Sequence, residues 1–253
     1  MAHAIYPDHA GRSVLVTGGA SGIGAAIVRA FAGQKSRVGF IDILDAPAEA
    51  LVRELQGSGA EVHFAHADLT DIAALRAAVV ALRARIGPIA VLVNNAAFDE
   101  RHATEEVTPQ QWDALMAVNL RHQFFAAQAV LPDMKAAGKG AIVNFASISW
   151  MAGMGGMAVY TAAKSAVLGL TRSLARDYGP HNIRVNAIAP GWILTERQKE
   201  KWITPDGERR MLEAQCLKRW IVPEEIARFV LFLASDDASA CTSQHYVVDG
   251  GWV

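Results

Sequence analysis

The sequence is short of cysteine, of clustered metal ligands and of long apolar runs, and each shortage excludes a class of protein. Its two cysteines, Cys216 and Cys241, follow no metal or redox spacing, so we expect free thiols in a reducing compartment, the cytoplasm. The eight histidines form no cluster; His63 and His66, three apart in a strand-like run, would point to opposite faces, so no metal site is expected. No apolar stretch could span a bilayer, and the first residues have no signal-peptide core.

Charge is also nearly balanced. Lysine and arginine number 24 and the acids 25, giving a net charge of -1, so we expect neither nucleic acid nor an anionic membrane as partner. The chain has 253 residues, 52% of them hydrophobic, which is enough for one large core. No repeat, low-complexity tract or linker divides it. We therefore expect one domain over residues 1–253, with residues 1–12 as a loose arm.

A glycine-rich turn follows the first buried strand. Ser13-Val-Leu-Val-Thr17 is an apolar run typical of a strand buried on both faces. Glycines at 18, 22 and 24 then lead into an amphipathic helix. Without Cβ atoms, this turn would let a pyrophosphate approach the N–H groups at the helix N-terminus. A strand, glycine turn and helix in this order predict a dinucleotide site.

Asp42 ends the second predicted strand, 24 residues after Gly18. A carboxylate at this separation accepts hydrogen bonds from the adenosine 2′-hydroxyl and repels a 2′-phosphate. The next three residues include no arginine or lysine that would reverse the preference. The sequence therefore predicts NAD rather than NADP, although an acid can also simply end a strand.

Strand-like and helical segments alternate along the rest of the chain. This alternation predicts an α/β fold of the Rossmann type, a doubly wound, parallel, seven-stranded sheet with helices on both faces. Ligands of such sheets lie at the carboxyl ends of the strands. Asn95 follows the fourth strand and could hold a backbone turn or bond the ribose. The predicted strands are residues 13–17, 37–42, 61–68, 89–93, 140–147, 183–189 and 245–250.

Tyr160 and Lys164 lie four residues apart on a predicted helix, which places both side chains on one face. A tyrosine with an ordinary pKa of about 10 is a poor base at neutral pH. A nearby ammonium, together with a second positive group, could lower that pKa enough for proton abstraction. Ser147 ends the fifth predicted strand and could donate a hydrogen bond to the same substrate oxygen; Ser149 is its rival.

Two segments fall outside the alternating pattern. Residues 98–108 form a polar loop, and residues 192–220 carry three tryptophans among charged residues. The second segment is too long for an ordinary connection, so we interpret it as a substrate lid. Asn119 lies among apolar residues of a helix predicted from 109 towards 134. It is expected to be buried, either as a structural residue or as the holder of a water that links Lys164 to solvent.

The chain resembles the short-chain dehydrogenase/reductase superfamily over nearly its whole length. The resemblance is carried by Thr17-Gly-Gly-Ala-Ser-Gly-Ile-Gly24, Asp68-Leu69, Asn94-Asn-Ala-Ala97, Asn119, Ser147, Tyr160 with Lys164, and Pro190-Gly-Trp-Ile-Leu-Thr195. It implies a catalytic tetrad of Asn119, Ser147, Tyr160 and Lys164. It also implies that the cofactor contacts Gly18, Ser21, Gly22, Ile23, Gly24, Asp42, Asp68, Leu69, Asn95, Tyr160, Lys164, Pro190, Ile193 and Thr195. Ala97 departs from the family, which usually has glycine there.

A closer resemblance is to bacterial aldose 1-dehydrogenases, which act on D-xylose, L-arabinose, D-galactose or L-fucose. It is carried by Ala4-Ile-Tyr-Pro7, Asp99-Glu-Arg-His102, Ser147-Ile-Ser-Trp150 and Arg197-Gln-Lys-Glu-Lys-Trp202. It implies oxidation of a sugar at C1 to the aldonolactone, with Tyr160 as general base. The expected sugar contacts are Asp99, Arg101, Ser147, Trp150, Tyr160, Trp192 and Gln198. By analogy with relatives, the helices over 109–134 and 157–178 would pair in a homotetramer.

Two alternatives stay open from sequence. The first is a reductase of another carbonyl class, such as 3-oxoacyl thioesters or hydroxysteroids, although the polar loop at 98–108 does not favour it. The second is a regulator that binds NAD without turnover, which the presence of both Tyr160 and Lys164 disfavours.

Overall fold

One parallel sheet holds all seven strands, in the order β3-β2-β1-β4-β5-β6-β7. We describe it from a computed structural model, which covers residues 4–253. The predicted doubly wound sheet is confirmed, with strand ends within three residues of those expected. The strands are β1 Ser13–Thr17, β2 Arg37–Asp42, β3 Val62–His66, β4 Val91–Asn94, β5 Gly140–Phe145, β6 Ile183–Pro190 and β7 His245–Val248.

The central strands are buried because helices cover both faces of the sheet. Every residue of β1, β4 and β5 is buried, which explains their unbroken apolar runs. One face packs against α1, α2 and α9, and the other against α3, α5 and α6. The helices are α1 Gly22–Gly33, α2 Asp45–Gly57, α3 Ile72–Ile86, α4 Pro109–Met116, α5 His122–Ala137, α6 Ala158–Tyr178, α7 Glu196–Lys201, α8 Pro205–Ala214 and α9 Pro223–Ala234.

The order of the strands reverses between β1 and β4. β1 pairs with β2 on one side and with β4 on the other, so the chain leaves the sheet in opposite directions at this point. A crevice therefore opens outside the carboxyl ends of these two strands, where doubly wound sheets bind ligands. The glycine turn and the Asn94–Ala97 segment both begin there.

The amino-terminal segment differs from the prediction of a loose arm. Residues 1–3 lie outside the described part of the chain. Pro7–His9 form a 3-10 turn, and His9 is fully buried, with its Nε2 2.9 Å from the Leu231 carbonyl oxygen. Arg12 pairs with Asp8 and Asp236. These contacts fix residues 7–12 against α9 and the turn that follows it. The sequence did not predict them, because the segment mixes apolar, polar and charged residues without a helical or strand period.

The helix predicted from residue 109 towards 134 is interrupted. It divides into α4 and α5, joined by a π-helical turn over Ala117–Arg121 that contains Asn119. Such a turn adds one residue to the helical repeat and is common at functional sites. Residues 192–220 also contain more structure than expected, in the short helices α7 and α8.

Within the described residues, no helix is both long and apolar enough to cross a membrane.

Candidate active site

A cleft of about 2030 Å³ lies at the carboxyl ends of the strands. It brings together residues from every loop that the sequence singled out. The predicted site residues that line it are Gly18, Ser21, Gly22, Ile23, Gly24, Asp42, Asp68, Leu69, Asn95, Asp99, Arg101, Ser147, Tyr160, Lys164, Pro190, Trp192, Ile193, Thr195 and Gln198. Of the predicted residues, Asn119 and Trp150 stand outside this lining.

The glycine turn has no room for side chains. Gly18 has φ +68°, and a Cβ there would lie 2.7 Å from the Cα of Ala96. A Cβ on Gly24 would lie 1.8 Å from the Gly18 carbonyl oxygen. Asn95 holds the turn, since its Nδ2 donates to the carbonyl oxygens of Thr17 and Gly18 at 3.2 and 2.8 Å. The turn therefore forms a bare backbone cradle, which a pyrophosphate could approach closely.

Asp42 lies at the end of β2, next to the glycine turn. Its Oδ2 accepts from the Ala20 N–H at 2.9 Å, and its Oδ1 accepts from the N–H groups of Ile43 and Leu44. The carboxylate is 8% exposed and lines the cleft. It therefore ties the glycine turn to β2 and still presents acceptor capacity to a ligand.

The remaining predicted cofactor contacts surround the turn. Leu69 is buried beside Asp68, whose Oδ1 accepts from the Thr70 N–H at 2.8 Å. Across the cleft, the Thr195 hydroxyl caps α7, and a Cβ on Gly22 would lie 3.2 Å from the Thr195 methyl. The start of α7 therefore lies close to the glycine turn.

Ser147, Tyr160 and Lys164 meet on the other side of the cleft. Tyr160 and Lys164 share one face of α6, with the Lys164 Nζ 5.7 Å from the centre of the Tyr160 ring. The Lys164 Nζ donates to the Phe145 carbonyl oxygen at 2.9 Å, two residues before Ser147. Ser149, the rival of Ser147, has a buried hydroxyl, and its N–H donates to the Ser147 Oγ. Ser147 is therefore the serine that faces Tyr160.

The electrostatics of this cluster differ from the sequence prediction. Burial raises the pKa of Tyr160 to about 12; the hydrogen bond with Ser147 opposes this rise and the charge of Asp99 adds to it. Burial also lowers the pKa of Lys164 to about 7, against the charge of Asp99. Desolvation sets the direction of both shifts in the protein alone. The predicted lowering of the tyrosine pKa is therefore wrong for the protein alone, in which burial raises it.

Asn119 is fully buried, as predicted, and its side chain has protein partners. Its Oδ1 accepts from the Phe98 N–H at 2.9 Å, and its Nδ2 donates to the carbonyl oxygens of Phe98 and Leu115 at 3.0 Å. These bonds anchor the start of the loop that carries Asp99. The Asn119 carbonyl oxygen is linked to Lys164 through the Gln123 amide and the Phe145 carbonyl oxygen, and the catalytic role of Asn119 stays a prediction.

Trp150 is the predicted sugar contact that does not line the cleft. It ends the 3-10 turn Ile148–Trp150, in which Ile148 and Ser149 are buried and the Trp150 side chain is 37% exposed. Within the described chain it is absent from the cleft lining. The structure therefore does not bring Trp150 into the cleft lining with the other predicted sugar contacts, and its contact with a sugar stays a prediction.

The departure at Ala97 has a simple explanation. A methyl group is strained only where φ is positive. The non-glycine residues with positive φ in the described chain are Lys35, Asn182 and Ser243, so Ala97 adopts an ordinary conformation.

A buried polar chain beneath the cleft was missed from sequence. The Gln123 Nε2 donates to the carbonyl oxygens of Asn119 and Phe145, both at 3.2 Å. The Asn94 Nδ2 donates to the Gln123 carbonyl oxygen and to Asn144, which in turn donates to Thr171. The available signal was an asparagine at the same place in two buried strands, Val91-Leu-Val-Asn94 and Ala141-Ile-Val-Asn144.

Comparison with known proteins places the chain in a family. A family model described as Enoyl-(Acyl carrier protein) reductase matches residues 18–253. The D-xylose 1-dehydrogenase of Caulobacter vibrioides is 49% identical over 252 residues, which cover 100% of both chains. The chain belongs to the short-chain dehydrogenase/reductase family. It is accordingly an oxidoreductase that uses a nicotinamide dinucleotide.

Other members of the short-chain dehydrogenase/reductase family agree with this placement. A Rhizobium meliloti protein named "Probable galactose dehydrogenase GalD" is 50% identical over 247 residues, covering 97% of this chain and 96% of the relative. The crystal structure of a blue fluorescent protein from a metagenomic library, in complex with NADPH, superposes with a TM-score of 0.86. It is 36% identical and covers 96% of this chain and 98% of its own.

Proposed function

We propose that this short-chain dehydrogenase/reductase oxidises an aldose at C1 to the aldonolactone, with NAD as the hydride acceptor. The observation that carries the proposal is the meeting of Tyr160, Lys164 and Ser147 in the same cleft as the bare glycine turn. The names of the two sugar dehydrogenases, each about half identical over nearly the whole chain, support the sugar class.

The residues present suit a dinucleotide. The turn from Gly18 to Gly24, with Ser21, Gly22 and Ile23, would hold the pyrophosphate at the N-terminus of α1. Asp68 and Leu69 would flank the adenine, and Pro190, Ile193 and Thr195 would hold the nicotinamide end. Asp42 supports NAD over NADP, because its carboxylate would repel a 2′-phosphate. Tyr160 and Lys164 would also reach the nicotinamide ribose.

Tyr160 acts as the general base in this mechanism. Its phenolate oxygen takes the proton of the anomeric hydroxyl while C1 loses its hydride, so the sugar is oxidised by two electrons. Ser147 orients the reacting oxygen, and Lys164 stabilises the phenolate. When bound between the glycine turn and Tyr160, NAD would accept the hydride from C1 and would add a positive charge that favours the Tyr160 phenolate.

The substrate side of the cleft suits a sugar. It combines polar groups for hydroxyls with the indole of Trp192 as an apolar surface. We interpret residues 192–220 as a lid over this side. The cytoplasmic location and the homotetramer remain predictions.

The first experiment is a substrate panel. Purified protein is mixed with NAD or NADP and with D-xylose, L-arabinose, D-galactose, L-fucose and D-glucose, and reduced cofactor is followed by its near-ultraviolet absorbance. We expect turnover of at least one pentose or hexose with NAD. Reduction of ketones, 3-oxoacyl thioesters or hydroxysteroid substrates without aldose turnover would favour the alternative reductase.

A variant tests the base. Tyr160→Phe removes the hydroxyl, so we expect turnover to fall by roughly 10²- to 10⁴-fold, the range for loss of a general base. Binding of NADH, followed by its fluorescence, should be kept. Tyr178→Phe, at the other end of α6, is the matched control. Activity of Tyr160→Phe equal to that of the control would remove Tyr160 from the mechanism.

A further inference from the structure

The substrate side of the cleft has two walls. One is the loop after β4, which carries Phe98 and Asp99. The other is the start of the segment after β6, which carries Trp192, Arg197 and Gln198. All five residues line the cleft. The two walls come from positions about one hundred residues apart in sequence, so contacts between them fix the width of the cleft.

Asp99 joins these walls through a group of contacts that we call the cleft bridge, formed by Asp99, Arg197, Gln198 and Trp192. The Asp99 Oδ1 accepts from the Arg197 Nε at 3.0 Å and also lies 3.0 Å from its Nη2. The Asp99 Oδ2 accepts from the Gln198 Nε2 at 2.6 Å. The Gln198 Oε1 accepts from the Trp192 Nε1 at 2.7 Å.

Arg197 is fixed from a second direction. Its guanidinium carbon lies 4.9 Å from the centre of the Phe98 ring, next to Asp99 on the same wall. A guanidinium that is both stacked on a ring and paired with a carboxylate is already held in one conformation, so little conformational entropy is lost when a ligand binds beside it. Its charge also lies beside Asp99, whose own charge adds to the rise of the Tyr160 pKa and opposes the lowering of the Lys164 pKa.

The chemistry of its neighbours fixes the orientation of the Gln198 amide. An ionised carboxylate only accepts hydrogen bonds and an indole N–H only donates, so the amide must turn its NH₂ to Asp99 and its oxygen to Trp192. In the flipped orientation the Gln198 NH₂ would face the indole N–H of Trp192, and its oxygen would face the carboxylate of Asp99. One N–H of Gln198 remains after these bonds are made, in a side chain that lines the cleft.

We propose that Asp99 and Arg197 are positioning residues of the cleft bridge, and that they hold the remaining N–H of Gln198 ready for an oxygen of the sugar. Arg197 and Gln198 take three of the acceptor positions of Asp99, so its main role is to hold these two side chains. This assignment rests on the proposed function and gives Asp99 a positioning role, while its direct sugar contact stays a prediction. A donor fixed before binding lowers the entropy lost when the sugar binds.

A double-mutant cycle tests the bridge, with Asp99→Asn, Arg197→Gln and both together. Each single variant should raise the KM for the aldose by roughly tenfold, as expected for one lost charge-assisted hydrogen bond, with a smaller change in kcat. The double variant should lie within about twofold of the worse single variant, because both changes break one unit. NADH affinity should stay constant. Arg83→Gln, which breaks an ion pair with Asp133 away from the cleft, is the control.

Additive effects would overturn the assignment. If the KM increase of the double variant equals the product of the two single increases, Asp99 contacts the sugar independently of Arg197. The same cycle on the urea-induced unfolding of the substrate-free protein separates this inference from the proposed function. A protein that oxidises no aldose would refute the function alone. Absence of any coupling between Asp99 and Arg197 in unfolding would refute the bridge, whatever the substrate.

Discussion

At the scale of single residues, the sequence predicts which side chains lie next to each other. It does not predict how deeply they are buried. The spacing of Tyr160 and Lys164 correctly places them on one helical face. The sequence does not say how far each is removed from water, and burial reverses the expected direction of the tyrosine pKa. Asp42 shows the same limit, since three backbone N–H groups already bond a carboxylate assigned to the ribose.

The role of Asp42 yields a prediction on cofactor choice. Asp42→Ala removes the repulsion of a 2′-phosphate and also releases the Ala20 N–H. We expect kcat/KM with NAD to fall, and the NADP/NAD ratio to rise by roughly tenfold or more, equivalent to about 1.4 kcal/mol. Asp68→Ala, another acid of the cleft, should leave that ratio closer to the parent value. Steady-state kinetics with both cofactors measure it, and an unchanged ratio in Asp42→Ala would reject the ribose role.

At the scale of elements, helices and strands followed the hydrophobic periodicity closely, because most bury one continuous face. The exceptions are set by polar contacts distant in sequence. The π-helical turn over Ala117–Arg121 places Asn119 against Phe98, and the His9 turn depends on a carbonyl of α9. Periodicity within a window cannot detect partners more than 20 residues away.

The buried polar chain leads to a prediction for α5. Gln123→Leu keeps the volume but leaves the carbonyl oxygens of Asn119 and Phe145 without that donor. We expect a loss of about 1–3 kcal/mol in the free energy of unfolding, the usual contribution of two hydrogen bonds. Because Phe145 also accepts from Lys164, turnover should fall as well. Gln128→Leu, on the exposed side of α5, is the control. Urea unfolding and aldose turnover check both effects, and equal behaviour of the two variants would contradict them.

At the scale of the whole molecule, the fold was predictable because strand, turn and helix signals agree along the chain, and the glycine turn fixes where the sheet opens. The cofactor side of the cleft was predictable for the same reason, as it is built from strand ends. The sugar side was less predictable, because it is formed where the loop after β4 meets the segment after β6. Arg197 had a place in the resemblance but no role until Asp99 was found opposite it.

Two buried histidines, His9 and His122, make the stability of the whole molecule depend on pH. Burial lowers the pKa of His122 to about 3, and the charge of Lys164 adds to this; burial also lowers the pKa of His9. A histidine that is neutral in the fold but has a pKa of about 6.5 when unfolded favours unfolding as the pH falls below that value.

We therefore expect His122 alone to remove about 2 kcal/mol from the free energy of unfolding between pH 7 and pH 5. His122→Leu should lose packing at every pH, but its unfolding free energy should fall less steeply over this range. His63→Leu, on the edge strand β3, is the matched control with which the slope is compared. Urea unfolding at several pH values measures the slopes. A His122→Leu slope as steep as that of the control would mean that His122 takes up its proton without unfolding, and hence that water reaches the turn that carries Asn119.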